Sequence, residues 1–262
     1  MIPLGRQLIT LSTVNAFSAS WEQYLHYTTM PWGRLFYQTA WRQIDDFLTL
    51  TGQSLLDIGC GFGISSNEYS RRGNRVTGIE PTPEMLAIAE AGGEKVSYIK
   101  DSFEQTAHLL GLYDWILCHN VLEYSADPQL VISYIRECQQ PGGYLSLIAH
   151  NPVAKVMKQA IILKDPERAL ANMGSSQEYS GIIQTDITVY SYEQLTEWLH
   201  EAGYEIAEHY GIHNLYGYIA DNELKQDEEW HKQVTELEME AGKQSPYRDI
   251  AVFTHIIARK RS

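Results

Sequence analysis

Residues Leu55-Leu56-Asp57-Ile58-Gly59-Cys60-Gly61-Phe62-Gly63 limit this chain more than any other stretch. An apolar run of strand length ends in an acid, and three glycines follow at alternate positions. A strand that runs into glycines can turn tightly and let a ligand approach bare backbone at the start of the next helix. The segments downstream repeat the rhythm. Apolar runs at Ser54–Ile58, Arg75–Ile79, Val96–Lys100, Trp115–His119 and Tyr144–His150 alternate with amphipathic stretches. That alternation predicts a parallel sheet with crossover helices. Thr82-Pro83-Glu84 and Asp127-Pro128 carry helix-start signals, while Gly92-Gly93 and Pro141-Gly142-Gly143 close the helices that follow.

After residue 150 the rhythm breaks. Asn151 to Asp186 shows no obvious strand, and Met157, Ile161 and Ile162 suggest one amphipathic helix before a loop at Gly174 to Gln177. A capping box at Ser191 to Gln194 opens another helix, and Tyr204–His213 and Ile250–Arg259 read as closing strands. The expected architecture is a doubly wound, mostly parallel α/β sheet in four parts. Residues 1–50 form a helical cap and 51–150 the ligand-binding core. Residues 151–190 form a helical insertion over the sheet's C-terminal edge, where open α/β sheets hold their ligands, and 191–262 complete the core.

Composition excludes several classes. Three cysteines (Cys60, Cys118 and Cys138) without a CxxC fit a reducing, cytoplasmic setting and supply no metal pattern. No apolar run is long enough to cross a bilayer, and Met1 to Thr10 does not read as a signal peptide. The net charge of −13 disfavours non-specific nucleic-acid binding. Asp221, Glu223, Asp227, Glu228, Glu229, Glu236, Glu238 and Glu240 gather much of it and read as a solvated helix face.

The chemistry-bearing residues fall at strand ends. Glu80 closes the second strand, where an acid can accept both hydroxyls of a ribose, with Pro81 after it. Asp101-Ser102-Phe103 follow the third strand, placed to take an adenine edge. His119-Asn120-Val121-Leu122-Glu123-Tyr124 end the fourth, placed against a bound sulfonium and the adenine edge. The nicotinamide fingerprint G-x-G-x-x-G fails at Ile64 when counted from Gly59. The order D-x-G-x-G-x-G fits motif I of the methyltransferases better.

As a set, Asp57 to Gly63, Glu80, Asp101, Asn120 to Glu123 and Pro141-Gly142-Gly143 resemble the class I S-adenosylmethionine-dependent methyltransferase family. A narrower resemblance, to the bacterial tRNA 5-carboxymethoxyuridine methyltransferases, rests on four groups: Trp32-Gly33-Arg34-Leu35 with Trp41; Val121 to Tyr124 with Ala126-Asp127-Pro128; Tyr192 to Gly203; and Pro246-Tyr247 with His255 and Ala258-Arg259-Lys260. The resemblance implies a Rossmann-like fold and S-adenosylmethionine as cofactor. Its cofactor-binding set would be Arg34, Asp57, Gly59, Cys60, Gly61, Gly63, Glu80, Pro81, Asp101, Ser102, Phe103, Asn120, Val121 and Leu122. Arg34 would stand in for an arginine that the family places near Phe36 and Tyr37.

Two acceptors stay open at this point: the carboxylate or hydroxyl of a modified wobble uridine in tRNA, and that of a small metabolite. The subfamily motifs favour the first. The acidic charge and the neutral-to-acidic stretch at Gly174 to Glu178 favour the second. A nucleotide-binding oxidoreductase or a non-catalytic module stands behind both. A carboxylate needs no general base, whereas a hydroxyl does, and His119 and His150 are the candidates. Arg248 is the candidate grip for a carboxylate. Tyr124, His150, Asn151, Tyr247 and Arg248 are expected around the acceptor, and Tyr24, Tyr27 and Trp32 as a lid or as packing.

Overall fold

A computed structural model describes residues 11–261. The chain runs α1 (Leu11–Thr29), α2 (Pro31–Asp45), β1 (Ser54–Ile58), α3 (Ile64–Arg71), β2 (Arg75–Ile79), α4 (Pro83–Ala91), β3 (Val96–Ile99), a short α5 (Phe103–Thr106) and β4 (Tyr113–His119). It continues with α6 (Pro128–Glu137), β5 (Gln139–His150), α7 (Pro152–Ile161), α8 (Pro166–Ala171), β6 (Gln177–Ser180), β7 (Thr185–Thr188), α9 (Tyr192–Glu201), β8 (Tyr204–Ile212), α10 (Glu228–Ala241) and β9 (Phe253–Lys260). Seven strands form one sheet in the order β3-β2-β1-β4-β5-β9-β8. Neighbours from β3 to β5 are parallel, while β9 runs antiparallel between β5 and β8. The sheet is the mostly parallel, doubly wound one that the alternation predicts. Its strand order reverses between β1 and β4, which opens a crevice at their carboxyl ends.

Both faces are covered. Leu55, Val76, Trp115 and Leu117 pack with Ile44 of α2 and Tyr69 of α3 on one side. Leu56, Ile58, Ile116 and Cys118 pack with α6 and α9 on the other, through Val131, Ile135, Leu195 and Leu199. Two of the predicted helix starts carry side-chain caps: Asp127 accepts from Leu130 N at 3.1 Å, and Ser191 forms both halves of its capping box with Gln194; α4 starts at Pro83 as expected, but the Thr82 side chain makes no capping bond there.

The stretch after residue 150 departs from the expectation of helix and loop. Two helices, α7 and α8, are followed by an antiparallel hairpin, β6–β7, paired from Gln177↔Thr188 to Ser180↔Thr185. The sequence signal is the β-branched run Thr185-Asp186-Ile187-Thr188-Val189, set off by Gly181. The expected closing strand from Ile250 begins at Phe253, because Arg248–Ile250 form a 3-10 turn instead. The reading of Met1 to Thr10 concerns residues outside the described set.

Two buried carboxylates do structural work in this frame. Asp57, at the end of β1, accepts from Ser66 Oγ on the first turns of α3 at 2.6 Å. Burial, opposed by that bond, raises its pKa to about 7. Glu238 sits on the acidic helix α10, yet it is fully buried rather than solvated. Its carboxylate accepts from the backbone N–H groups of Asn214 (2.5 Å), Leu215 (2.8 Å) and Tyr216 (2.9 Å), donors that no strand or helix satisfies.

Glu238→Ala strands those three donors and should lower unfolding free energy by about 3 kcal/mol, read from urea midpoints. Asp57 holds its proton more tightly folded than unfolded, so its contribution to stability falls as pH rises from about 4 toward 7. Asp57→Asn should flatten that decline in a thermal melt series. An unchanged slope would show that Asp57 is not its source.

Candidate active site

Glycine is required at the turn after β1. Gly59 and Gly63 hold φ of 64° and 68°, in the left-handed region. A side chain at Gly63 would collide with the Tyr98 hydroxyl, and one at Gly59 would meet Val121 at 2.8 Å. The turn is tied to the next strand by Glu80. One oxygen of Glu80 accepts from Gly61 N at 3.0 Å and the other from Thr82 N at 2.8 Å. Glu80 is buried, which raises its pKa against the pull of those bonds.

Above these turns lies a cavity of about 390 Å³. Its floor includes Asp57, Gly59, Cys60, Gly61, Glu80, Pro81, Asn120 and Val121, all from the sequence-predicted cofactor set. Gly63 caps α3 beneath the turn, and Leu122 is wholly buried in the core; neither lines the cavity. Asn120 adopts φ 53°, and its Oδ1 is buried with no partner among the described residues. The chemistry of this floor fits a nucleoside sulfonium. Each Glu80 oxygen keeps a lone pair for a ribose hydroxyl, the glycines leave bare backbone, Asn120 Oδ1 awaits a donor, and two carboxylates favour a cation.

Other expected residues lie elsewhere. Arg34 is exposed on α2 and donates to Thr29 O at 2.8 Å. Helical phase turns Gly33, Phe36 and Tyr37 to the cavity and Arg34 away from it. Asp101, Ser102 and Phe103 do not line it: Asp101 is exposed, with Ser102 N donating to it, and Phe103 belongs to the core. Arg248 does not line it either. Its guanidinium donates to His209 O at 2.9 Å and Lys243 O at 3.2 Å, with Glu208 at 3.7 Å, because its 3-10 turn folds back over β8. Asn151 is structural, capping α7 and donating to Asp249 O and Ala251 O, both at 2.9 Å. Tyr247 and Trp32 are likewise absent from the lining, while Tyr24 and Tyr27 are part of it.

Both candidate histidines line the cavity. His119 is set on Ser146 Oγ through Nε2 at 2.8 Å, and burial lowers its pKa to about 3. His150 turns Nδ1 to the fully buried side chain of Glu123 at 2.9 Å, and its backbone N donates to the same oxygen at 2.7 Å. Phe253 packs edge-on against the His150 ring, centroids 4.8 Å apart. The Glu123 partnership is not visible in sequence, since 27 residues separate the pair.

The roof comes from the two stretches that the sequence marks as a cap and an insertion. Val14, Phe17 and Tyr24 of α1, Lys158 of α7 and Glu178 to Ile183 of the hairpin close over the floor. Phe17 meets Tyr124 edge-on at 5.0 Å, and Ser18 Oγ donates to Glu84 of α4 at 2.9 Å. Among the described residues, no helix is long and apolar enough to cross a membrane, and no cluster of three His, Cys, Asp or Glu could hold a metal.

Known proteins agree with this geometry. Residues 32–209 match the family model of the methyltransferase domain. The tRNA 5-carboxymethoxyuridine methyltransferase of Escherichia coli O157:H7 is 28% identical over 239 residues, covering 87% of this chain and 89% of that protein. The ubiquinone biosynthesis O-methyltransferase of Pectobacterium carotovorum is 35% identical over 118 residues, 43% of this chain; the match spans about half (49%) of that relative. In fold, the chain is similar to the 1,6-didemethyltoxoflavin-N1-methyltransferase of Burkholderia thailandensis, with a TM-score of 0.60, 14% identity, and coverage of 100% of this chain and 93% of that one. The glycine turn, the buried acid that ties it and the family match converge: the chain belongs to the methyltransferase domain family, as an S-adenosylmethionine-dependent methyltransferase.

Proposed function

We propose that this enzyme methylates a hydroxyl oxygen of a small, flat acceptor held between the sheet edge and the roof. The observation that carries the reading is the His150–Glu123 pair opening on the cavity. A carboxylate buried behind Nδ1–H fixes the ring tautomer and stabilises the imidazolium that forms when Nε2 takes a proton. A hydroxyl acceptor needs such a base; a carboxylate does not. His119, held neutral by burial, is a poor base, so the proton goes to His150 Nε2.

Asp57, Gly59, Gly61, Glu80 and Asn120 would hold S-adenosylmethionine. When bound, it supplies a sulfonium methyl open to in-line displacement, and the protein's share is chiefly positioning. Phe17, Tyr24, Tyr124 and Phe253 give the cavity ring walls suited to a planar acceptor. The insertion, residues 151–190, acts as the acceptor cap, and the expected compartment is the cytoplasm.

A second reading has its own support. The likeness to the Escherichia coli tRNA enzyme runs nearly the full length of both chains. Lys158 is the one Lys or Arg among the described residues that line the cavity, and it would face the carboxylate of a modified wobble uridine. Burial lowers the Lys158 pKa, with Glu178 opposing that shift, so an anion beside it would be welcome.

Three measurements test these readings. His150→Phe should lower kcat by about 10²- to 10⁴-fold on a hydroxyl acceptor, and S-adenosylhomocysteine should bind as before by calorimetry. An unchanged kcat removes His150 as the base. Glu80→Ala should weaken S-adenosylhomocysteine at least tenfold through lost ribose hydrogen bonds. Salt-sensitive filter binding of bulk tRNA, with a missing methyl ester in nucleosides from a deletion strain, would instead establish the second reading.

A further inference from the structure

A buried chain of hydrogen bonds runs from the cavity into the sheet, and its direction can be read atom by atom. Gln43 of α2 donates from Nε2 to the carbonyl of Gly211 at 3.1 Å. A carbonyl only accepts, so the amide nitrogen must face it, and Oε1 must face His255 Nδ1, 2.6 Å away. Nδ1 of His255 therefore carries a proton. Full burial holds the His255 pKa well below its usual range, so the ring is neutral and its Nε2 is bare. Ser146, itself fully buried, donates its hydroxyl proton to that Nε2 at 2.8 Å. The Ser146 oxygen is then an acceptor for His119 Nε2–H at 2.8 Å. Each link forces the next, and the last leaves His119 Nδ1 as a bare lone pair. That nitrogen has no partner among the described residues, and His119 lines the cavity.

Its neighbour is the base. His119 pairs with Ile148, two residues before His150 on the same face of the sheet. Standard sheet spacings put the two histidine Cα atoms roughly 8 Å apart. One ring thus offers a base and the other a fixed acceptor to the same bound molecule.

We propose that His119 Nδ1 receives a hydrogen bond from a second O–H or N–H group of the acceptor, beside the oxygen that is methylated, and so selects molecules with two adjacent polar groups. The selection rests on the hydroxyl reading above. Gln43, Ser146 and His255 act through His119: they hold its ring in the one tautomer that can accept. A lone hydroxyl satisfies His150 and leaves His119 facing an unfilled acceptor position, which costs binding.

The test uses the full chain saturated with S-adenosylhomocysteine. Long-range ¹⁵N–¹H correlation of its histidine rings should show His119 protonated at Nε2 and bare at Nδ1 throughout the neutral range. Titration with two chromophoric probes should show 4-nitrocatechol binding about three- to tenfold more tightly than 4-nitrophenol. In His119→Phe that preference should shrink to within about twofold. A proton on Nδ1, equal affinity for the two phenols in the parent chain, or a preference that survives His119→Phe would each overturn the inference and leave the hydroxyl reading standing. Binding of neither phenol would overturn both.

Discussion

The carboxylate of Glu80 holds the site together. It reaches from the end of β2 to Gly61 N in the turn after β1 and to Thr82 N at the start of α4. One buried side chain thus sets the spacing between two turns that belong to separate βα units. Without it, Gly61 N would be an unpaired donor and the glycine turn could settle toward the crevice. The same oxygens that make this tie keep free lone pairs, so the group that shapes the floor is also the one proposed to take a ribose. It is held at the cost of burying a charge-bearing group.

Much of this was legible in the sequence because it is local. The glycines at 59, 61 and 63, the acid at 80 and the helix starts at Pro83 and Pro128 are fixed by steric and capping rules that act over a few residues. The strand alternation gave the parallel sheet for the same reason. The antiparallel edge was legible as strands, although its order was not: nothing in Tyr204–Ile212 or Phe253–Lys260 says that the later one pairs with β5.

What sequence reading missed is non-local. Glu123 and His150 share no motif, and the Gln43–His255–Ser146–His119 chain draws on four elements. Arg34 and Arg248 have a fitting charge near the right motifs, yet both point elsewhere: helical phase turns the first outward, and a backbone turn uses the second to satisfy carbonyls. Glu238 shows the opposite error. Within an acidic run it looks like its solvated neighbours, yet three unpaired amides from the loop after β8 draw it into the core.

The place of β9 has a consequence for how the chain is assembled. It follows β8 in sequence but lies between β8 and β5, with Phe253 beside His150. During synthesis β8 therefore has no neighbour in the sheet until β9 has been made and threaded into the gap. The wall of the cavity at Phe253, and the shelter of His150 behind it, are completed only then. A nascent chain thus carries the floor of the cavity early and completes its wall at Phe253 last.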